Sequence, residues 1–325
     1  MATALRSLQL IPSITLAPHP TPIDELSRLR GVLGPDCPRL LMKRDDLLSF
    51  GQGGNKVRKM QTVAADAQGT GADVLITCGG VQSNHARVTA AVGAVLGIKV
   101  VLVANGAAPA ALTGNARLDA LFGADVRYVS SREERTRAME TAAADARAAG
   151  KRPFVVPLGA STPLGAMGFA RGVEELALSP HRPTTIIHST SSGGTQAGVI
   201  MGCALFGLTS RVIGVSADEP AGALQATIAE LLRGAAAHLG AAPSTMGADA
   251  PIDVDDTFVG DGYGIPTSAS VAATQLVART EGIVMDPVYT AKAMAGLIAR
   301  VRAGAWRRDD TVLFWHTGGI PGYFA

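Results

Sequence analysis

Charge is scarce in this chain, and so are aromatics and cysteine. Charged residues make up 17% of its 325 positions, and 29 Lys and Arg against 27 Asp and Glu leave a formal net charge of +2. No run of five like charges occurs, which argues against a nucleic-acid groove. The three cysteines, Cys37, Cys78 and Cys203, lie far apart. An odd number with no CxxC or Cys/His spacing argues against a disulfide framework and against a structural metal site, and fits a reducing cytoplasm. The start, MATALRSLQLIPSI, has one arginine and no continuous apolar run of the kind a secretory leader needs. The longest uncharged stretch, 183–210, holds His188 and the polar run STSSGGTQ, so it reads as strand, loop and helix and not as a membrane span. Neither GxGxxG nor GxxxxGK[ST] is present, which weakens a nicotinamide-dependent reading and removes a Walker loop.

Small apolar residues take the place of what is missing. Hydrophobic residues are 47% of the chain and glycines number 38, a composition that can bury a large core. Short β-branched runs at 39–43, 73–78, 99–104, 125–129, 153–156, 184–188, 211–216 and 311–315 predict strands. Amphipathic, Ala-rich segments predict helices near 23–32, 55–69, 84–97, 112–122, 131–149, 163–178, 195–207, 220–238, 268–281 and 289–303. The alternation implies an α/β fold of open, parallel-type twisted sheets covered by helices, in two lobes or one large domain. GADV at 71–74 and again at 123–126 reads as a helix ended by glycine just before a strand. The stretch 239–262 has little helix signal and is expected to be a surface excursion.

Three glycine-rich loops precede helices. In GQGGNKVRK (51–59), Asn55 is a good N-cap and would place Lys56 in the first helical turn. The positive end of a helix dipole disfavours an ammonium there, so Lys56 is suited to act as a Schiff-base nucleophile; the alternative is a solvated lysine beside Arg58 and Lys59. In GGVQSNH (79–85), Ser83, Asn84 and His85 stand at the carboxyl end of an apolar strand, where open α/β sheets bind ligands, although one of them suffices as a helix cap. In STSSGGTQAG (189–198), amides and hydroxyls at a strand-to-helix turn suit a phosphate group. Tyr263 and Tyr289, two of four tyrosines, lie in the Gly- and Pro-flanked segments DGYGIP and MDPVYT; alone, each reads more readily as a core or rim residue.

Taken together, KRDD (43–46), GGNKVRK (53–59), QSNHAR (82–87), GYGIPT (262–267), EGIVMDPVYTAKAMAGL (281–297) and HTGG (316–319) resemble the D-cysteine desulfhydrase and 1-aminocyclopropane-1-carboxylate (ACC) deaminase family. Its members are pyridoxal-phosphate (PLP) enzymes of fold type II. The resemblance implies two lobes, a small one at 50–162 inserted in a large one made of 1–49 and 163–325, and a homodimer acting on a small amino acid. It implies that Lys56 holds the cofactor covalently and that Asn84 meets the cofactor's 3′-oxygen. Ser192, Gly193, Gly194, Thr195, Gln196, Ala197 and Gly198 would hold the phosphate, and Thr290 or Thr317 would meet the pyridine nitrogen. Ser83, Asn84, His85, Gln82 and Ser161 would face the substrate, with Ser83, Tyr263 and Tyr289 in catalysis. Thr290 and Thr317 resemble the desulfhydrase branch, where ACC deaminases carry DPVYEGK and HLGG. The implied reaction is β-elimination from a substrate such as D-cysteine to pyruvate, ammonia and sulfide. ACC deaminase, L-cysteate sulfo-lyase and a catalytically silent PLP-binding protein are the alternatives. Gln52, Gln196 and PTSAS (266–270) depart from the family pattern.

Overall fold

Apolar runs with turn residues at each end become the strands of two separate sheets. The computed structural model describes residues 2–325. In chain order the elements are α1 (Ala2–Leu10), β1 (Ile23–Glu25), α2 (Ser27–Leu33), β2 (Arg39–Arg44), α3 (Asn55–Gly69), β3 (Val74–Gly80), α4 (Asn84–Leu96), β4 (Lys99–Asn105), α5 (Gly114–Leu121), β5 (Asp125–Val129), α6 (Glu134–Ala148), β6 (Pro153–Val155), α7 (Pro163–Leu178), β7 (Thr185–Thr190), α8 (Gly194–Phe206), β8 (Arg211–Ser216), α9 (Ala221–Leu239), β9 (Asp253–Asp255), α10 (Ser268–Glu281), α11 (Thr290–Arg302) and β10 (Thr311–His316). One sheet has six strands in the order β1-β2-β10-β7-β8-β9, and the other has four in the order β5-β4-β3-β6. All pairings are parallel except β1 with β2. Central parallel strands are covered on both faces and so read as unbroken apolar runs. The buried segments 74–79 and 185–190 follow that rule.

The six-stranded sheet carries a core on each face. Met42, Ile187 and Phe314 pack with Met294 and Leu297 of α11 on one side. Leu41, Ile186 and Leu313 pack with Phe169 and Val173 of α7 on the other. Gly198 and Gly202 of α8 allow that helix to lie directly on α7, since a Cβ on Gly198 would stand 2.7 Å from the Ala166 carbonyl oxygen. The repeated GADV works as expected, with Gly71 and Gly123 at φ +67° and +78° after their helices.

Three local expectations fail. The predicted helix at 23–32 begins as strand β1, because Ile23, Asp24 and Glu25 pair with Lys43, Met42 and Leu41. Cross-strand ion pairs Asp24–Arg44 and Glu25–Arg39 reinforce that edge, so tertiary pairing overrides helix propensity. The excursion at 239–262 contains β9, which extends the sheet beyond β8 and is tied by Arg211–Asp253 and Arg300–Asp255. The N-terminal segment, for which no element is expected, forms α1 and buries Ala4 and Leu8 against α9.

Candidate active site

The carboxyl ends of strands from both sheets face one cavity that opens to solvent. Its wall combines the loop after β3, the start of α3, the turn between β7 and α8, the segment after β8, and Tyr263, Tyr289 and Thr317. Open parallel sheets bind ligands in this position.

Lys56 is the second residue of α3 and stands half-buried in the cavity wall. Removal from water lowers its amine to a pKa of about 8, so burial, more than the helix dipole, makes it nucleophilic. The N-cap is Gly54 and not Asn55. The loop packs so closely on the segment after β10 that a Cβ on Gly54 would stand 2.9 Å from the Thr317 carbonyl oxygen, while the Asn55 amide N–H donates to that oxygen at 3.0 Å. The Asn55 side chain crosses the cavity floor instead, its Nδ2 donating to Thr195 Oγ1 at 2.8 Å. One turn after Lys56, the fully buried Lys59 donates from Nζ to the Gly159 carbonyl and Ser161 Oγ, at 3.0 and 3.1 Å. Burial, then the charge of Lys56, holds Lys59 well below the ordinary lysine range.

The glycine turn before α8 is a cradle. A Cβ on Gly194 would lie 2.6 Å from Ser161 Oγ and 2.8 Å from Lys59 Nζ. Ser192 Oγ meets Ser161 Oγ at 2.7 Å, and the Gly194 N–H donates to Ser161 Oγ at 3.3 Å. First-turn amides of a helix lack intrahelical partners, and here Lys59 lies directly beneath them. Ser192, Gly193 and Thr195 line the cavity. Gln196 turns the other way: its Nε2 donates to the Asp253 carbonyl at 2.7 Å, and its side chain fills the space beside Gly214. Ala197 and Gly198 lie in helix packing. Of the seven consecutive residues, the turn itself faces the cavity, with Ser161 behind it.

Ser83 caps α4 by accepting from the Ala86 N–H at 3.2 Å and also lines the cavity. Asn84 Oδ1 accepts from Asn115 at 2.9 Å, which leaves its Nδ2 to donate elsewhere. Gln82 does not reach the cavity; its amide braces α5 through the Thr113 carbonyl and the Asn115 N–H. His85 lines the cavity, and its neighbours fix its tautomer. Thr77 donates its hydroxyl to the Val156 carbonyl at 2.7 Å, so the contact of 2.8 Å between Thr77 Oγ1 and His85 Nε2 needs the proton on Nε2. Burial and the neighbouring lysines hold His85 well below its ordinary pKa, and its Nδ1 is left as a buried lone pair without a partner.

Tyr263 and Tyr289 meet hydroxyl to hydroxyl at 2.5 Å with their rings edge to face. Burial raises both phenols, so both are neutral. The buried Asp286 carboxylate aims Tyr289 by accepting its N–H at 2.9 Å. The same carboxylate accepts the Thr290 hydroxyl at 2.6 Å. Thr290 is thereby turned away from the cavity, whereas Thr317 lines it and shares a hydroxyl contact of 3.0 Å with Ser189. At the mouth, Arg132 lies over the Tyr263 ring at 4.9 Å and within 3.5 Å of Asp218. Ser189 opens the 189–198 loop, whereas Lys59, Arg132 and Asp218 lie outside the residues assigned a role from the sequence. Only Lys59 left a signal, its i+3 spacing from Lys56 on one helix face.

The profile of the pyridoxal-phosphate dependent enzymes matches residues 14–318 of this chain. The D-cysteine desulfhydrases of Salmonella newport (strain SL254) and Salmonella choleraesuis (strain SC-B67) are each 36% identical to it over 329 residues, covering 99% of this chain and 98% of theirs. Among solved structures, an ACC deaminase homologue superposes with a TM-score of 0.91 at 33% identity, over 100% of this chain and 97% of its own. The L-serine ammonia-lyase of Rhizomucor miehei shares the fold, with a TM-score of 0.67 at 18% identity over 94% of this chain and 95% of its own.

Proposed function

The chain belongs to the pyridoxal-phosphate dependent enzyme family and is a PLP-dependent carbon–sulfur lyase, and from that premise we propose that it eliminates the β-substituent of a small amino acid, D-cysteine foremost, to give pyruvate, ammonia and sulfide. The residues fit the cofactor: a cradle at a helix N-terminus lies over a buried lysine, and Thr190 Oγ1 and His85 Nδ1 line the cavity as buried polar atoms without partners. Lys56 would hold PLP covalently. Gly193, Gly194, Thr195 and Lys59 would hold its phosphate, Asn84 its 3′-oxygen, and Thr317, backed by Ser189, its ring nitrogen. When bound, PLP supplies an electron sink that stabilises negative charge at the substrate α-carbon.

The chain's own groups account for the remaining steps. Ser83 and the first turn of α4 orient the substrate carboxylate. Lys56 Nζ, easily neutral, takes the α-proton, with Ser83 Oγ as its neighbour in the wall. The neutral Tyr289 and Tyr263 pair can protonate the departing sulfur. The observation that carries the reading is the Thr317–Ser189 hydroxyl pair in the cavity, where Thr290 is withdrawn by Asp286. A hydroxyl at the ring nitrogen supports a weaker sink than a carboxylate, which would keep that nitrogen protonated; the weaker sink suffices to expel a thiolate and disfavours opening a carbon ring. Arg135, a half-buried guanidinium in the cavity wall that donates its Nε to the Arg132 carbonyl, favours a second reading in which the leaving group is sulfite. The test is turnover of both enantiomers of cysteine, β-chloroalanine and cysteate, beside ACC. Pyruvate with sulfide is expected, and little 2-oxobutanoate from ACC. Turnover of ACC alone would overturn the proposal.

Thr195→Ala should weaken PLP retention by about one to two decades while slowing saturated turnover less, since a hydrogen bond to a charged group contributes about 1.5–3 kcal/mol. Equal PLP affinity in variant and parent would move the phosphate elsewhere. The reading extends to an inserted lobe at 50–162, which contains the whole four-stranded sheet. It also extends to a cytoplasmic homodimer: Cys37, Cys78 and Cys203 are free thiols, and Leu112 and Phe324 line one groove as exposed apolar side chains. No helix among the described residues is long and apolar enough to cross a membrane.

A further inference from the structure

Behind the catalytic wall lies a second cavity of about 190 Å³, bounded by β4, β5 and one face of α5. Leu112 and Tyr128, both exposed, stand in its outer wall, and Ala116 and Val126 line it further in. Close-packed interiors leave few voids larger than a water, and an apolar cavity of about 150 Å³ takes up a benzene-sized guest. One acid interrupts the apolar lining. Asp119 is 4% exposed, and its Oδ1 is buried without a hydrogen-bond partner. Burial raises its carboxyl to a pKa of about 7, although the charge of Arg87 opposes the shift. Arg87 does not satisfy it: its Nη1 and Nη2 donate to the Gln52 and Gly53 carbonyls at 3.2 and 2.8 Å, and its Nε is likewise buried without a partner. A buried polar atom left unmatched in a native cavity calls for a partner from outside the protein.

The cavity also touches the catalytic loop. Gly79 and Gly80 form part of the wall of both cavities. Asn115, on α5 one turn before Asp119, donates from Nδ2 to the Gln82 carbonyl at 2.8 Å and to Asn84 Oδ1 at 2.9 Å. A displacement of α5 is therefore felt at Asn84.

We propose that this cavity is a second ligand site. It takes an apolar molecule of about one ring's size that carries a single O–H or N–H donor for Asp119, and its occupancy alters the catalytic loop through Asn115. The binding arm stands whichever amino acid the enzyme consumes.

The experiment titrates phenol, with benzene as the guest lacking a donor, into the PLP-loaded enzyme by calorimetry, and repeats steady-state kinetics on the best amino-acid substrate with phenol present. Saturable phenol binding is expected, with benzene about ten- to a hundredfold weaker. Asp119→Leu should keep benzene and lose the preference for phenol. Ala116→Phe should fill the cavity, abolish both, and hold KM near the value the parent shows with phenol bound, and Ala120→Phe at the rim is the second blocking variant if that one fails to fold. Saturating phenol should shift the KM of the parent by about fivefold or more and leave the blocked variant unmoved. No saturable phenol binding, equal affinity for the two guests, or an unmoved KM at saturation would each overturn the proposal. A phenol effect that persists in Ala116→Phe, or a phenol-soaked crystal holding only water beside Asp119, would overturn it too.

Discussion

Lys56→Ala should abolish covalent attachment of PLP and cut turnover by about three orders of magnitude or more, because one amine both holds the cofactor and moves the α-proton. At its lowered pKa of about 8, about one Lys56 amine in ten is neutral at pH 7; at the ordinary value of 10.5 it would be about one in three thousand. The sign follows from burial: desolvation disfavours the ammonium, so capture of PLP by the apoenzyme should gain rate as pH rises towards 8 and level off above it. Borohydride reduction of the loaded parent, followed by peptide mapping, should mark Lys56. The strongest rival is Lys59, which is fully buried and whose amine burial also holds well below the ordinary lysine range. Its Nζ, however, is engaged by the Gly159 carbonyl and Ser161 Oγ. A label on Lys59 would refute the assignment. The variant should keep its fold, since Lys56 projects from a helix start into the cavity and not into the core.

What the sequence disclosed was mostly local. Strands buried on both faces were legible because their apolar runs are unbroken, and α3, α7 and α10 were legible because caps and glycines bound them. β1 and β9 escaped because each is short and acidic, and becomes a strand only through arginines elsewhere in the chain: Arg44 and Arg39 for β1, Arg211 and Arg300 for β9. The same divide runs through the site. Lys56, Ser83 and Gly194 could be picked out because glycine turns before helices announce close approach of backbone to ligand. The direction of the Gln196 side chain was not legible, because successive helix residues point about 100° apart, and here that direction leads to β9. The choice between Thr290 and Thr317 was not legible, because Asp286, in the same DPVYT segment, takes the Thr290 hydroxyl. The tautomer of His85 was not legible, because its proton position depends on Thr77 and Val156, which no local motif connects to it.

The KRDD segment shows the divide most sharply, for its charges are not solvated. Asp45, with no side-chain exposure, accepts from Arg58 Nε and Nη2 at 2.7 Å each and from Trp315 Nε1 at 2.8 Å. Arg58 also reaches Glu175 at 2.6 Å, and Glu175 accepts from Lys43 Nζ at 2.6 Å. Two cations and two anions thus close a nearly dry network joining β2, α3, α7 and β10, and Arg58 lies two residues beyond Lys56. Asp45→Ala should lower stability by about 3–5 kcal/mol, because it leaves two buried cations, Arg58 and Lys43, sharing the single carboxylate of Glu175. It should also loosen PLP, since the start of α3 loses its anchor. Asp45→Leu combined with Arg58→Met should recover much of the loss, because the remaining Lys43–Glu175 pair is balanced and no buried charge is left alone. Acid should act through Glu175. Burial pushes its carboxyl up, but hydrogen bonds from His19 and Arg58 and the charges of Arg58 and Lys43 outweigh burial and hold it well below its ordinary value. A depressed carboxyl stabilises the fold above its unfolded pKa, so that contribution is intact at neutral pH and drains away as pH falls below about 4. Thermal melts of the loaded enzyme from pH 8 down to pH 3, parent against both variants, read both effects. An unchanged melting temperature in Asp45→Ala would mean that the network's charges are exchanged for water and do not anchor the lysine helix.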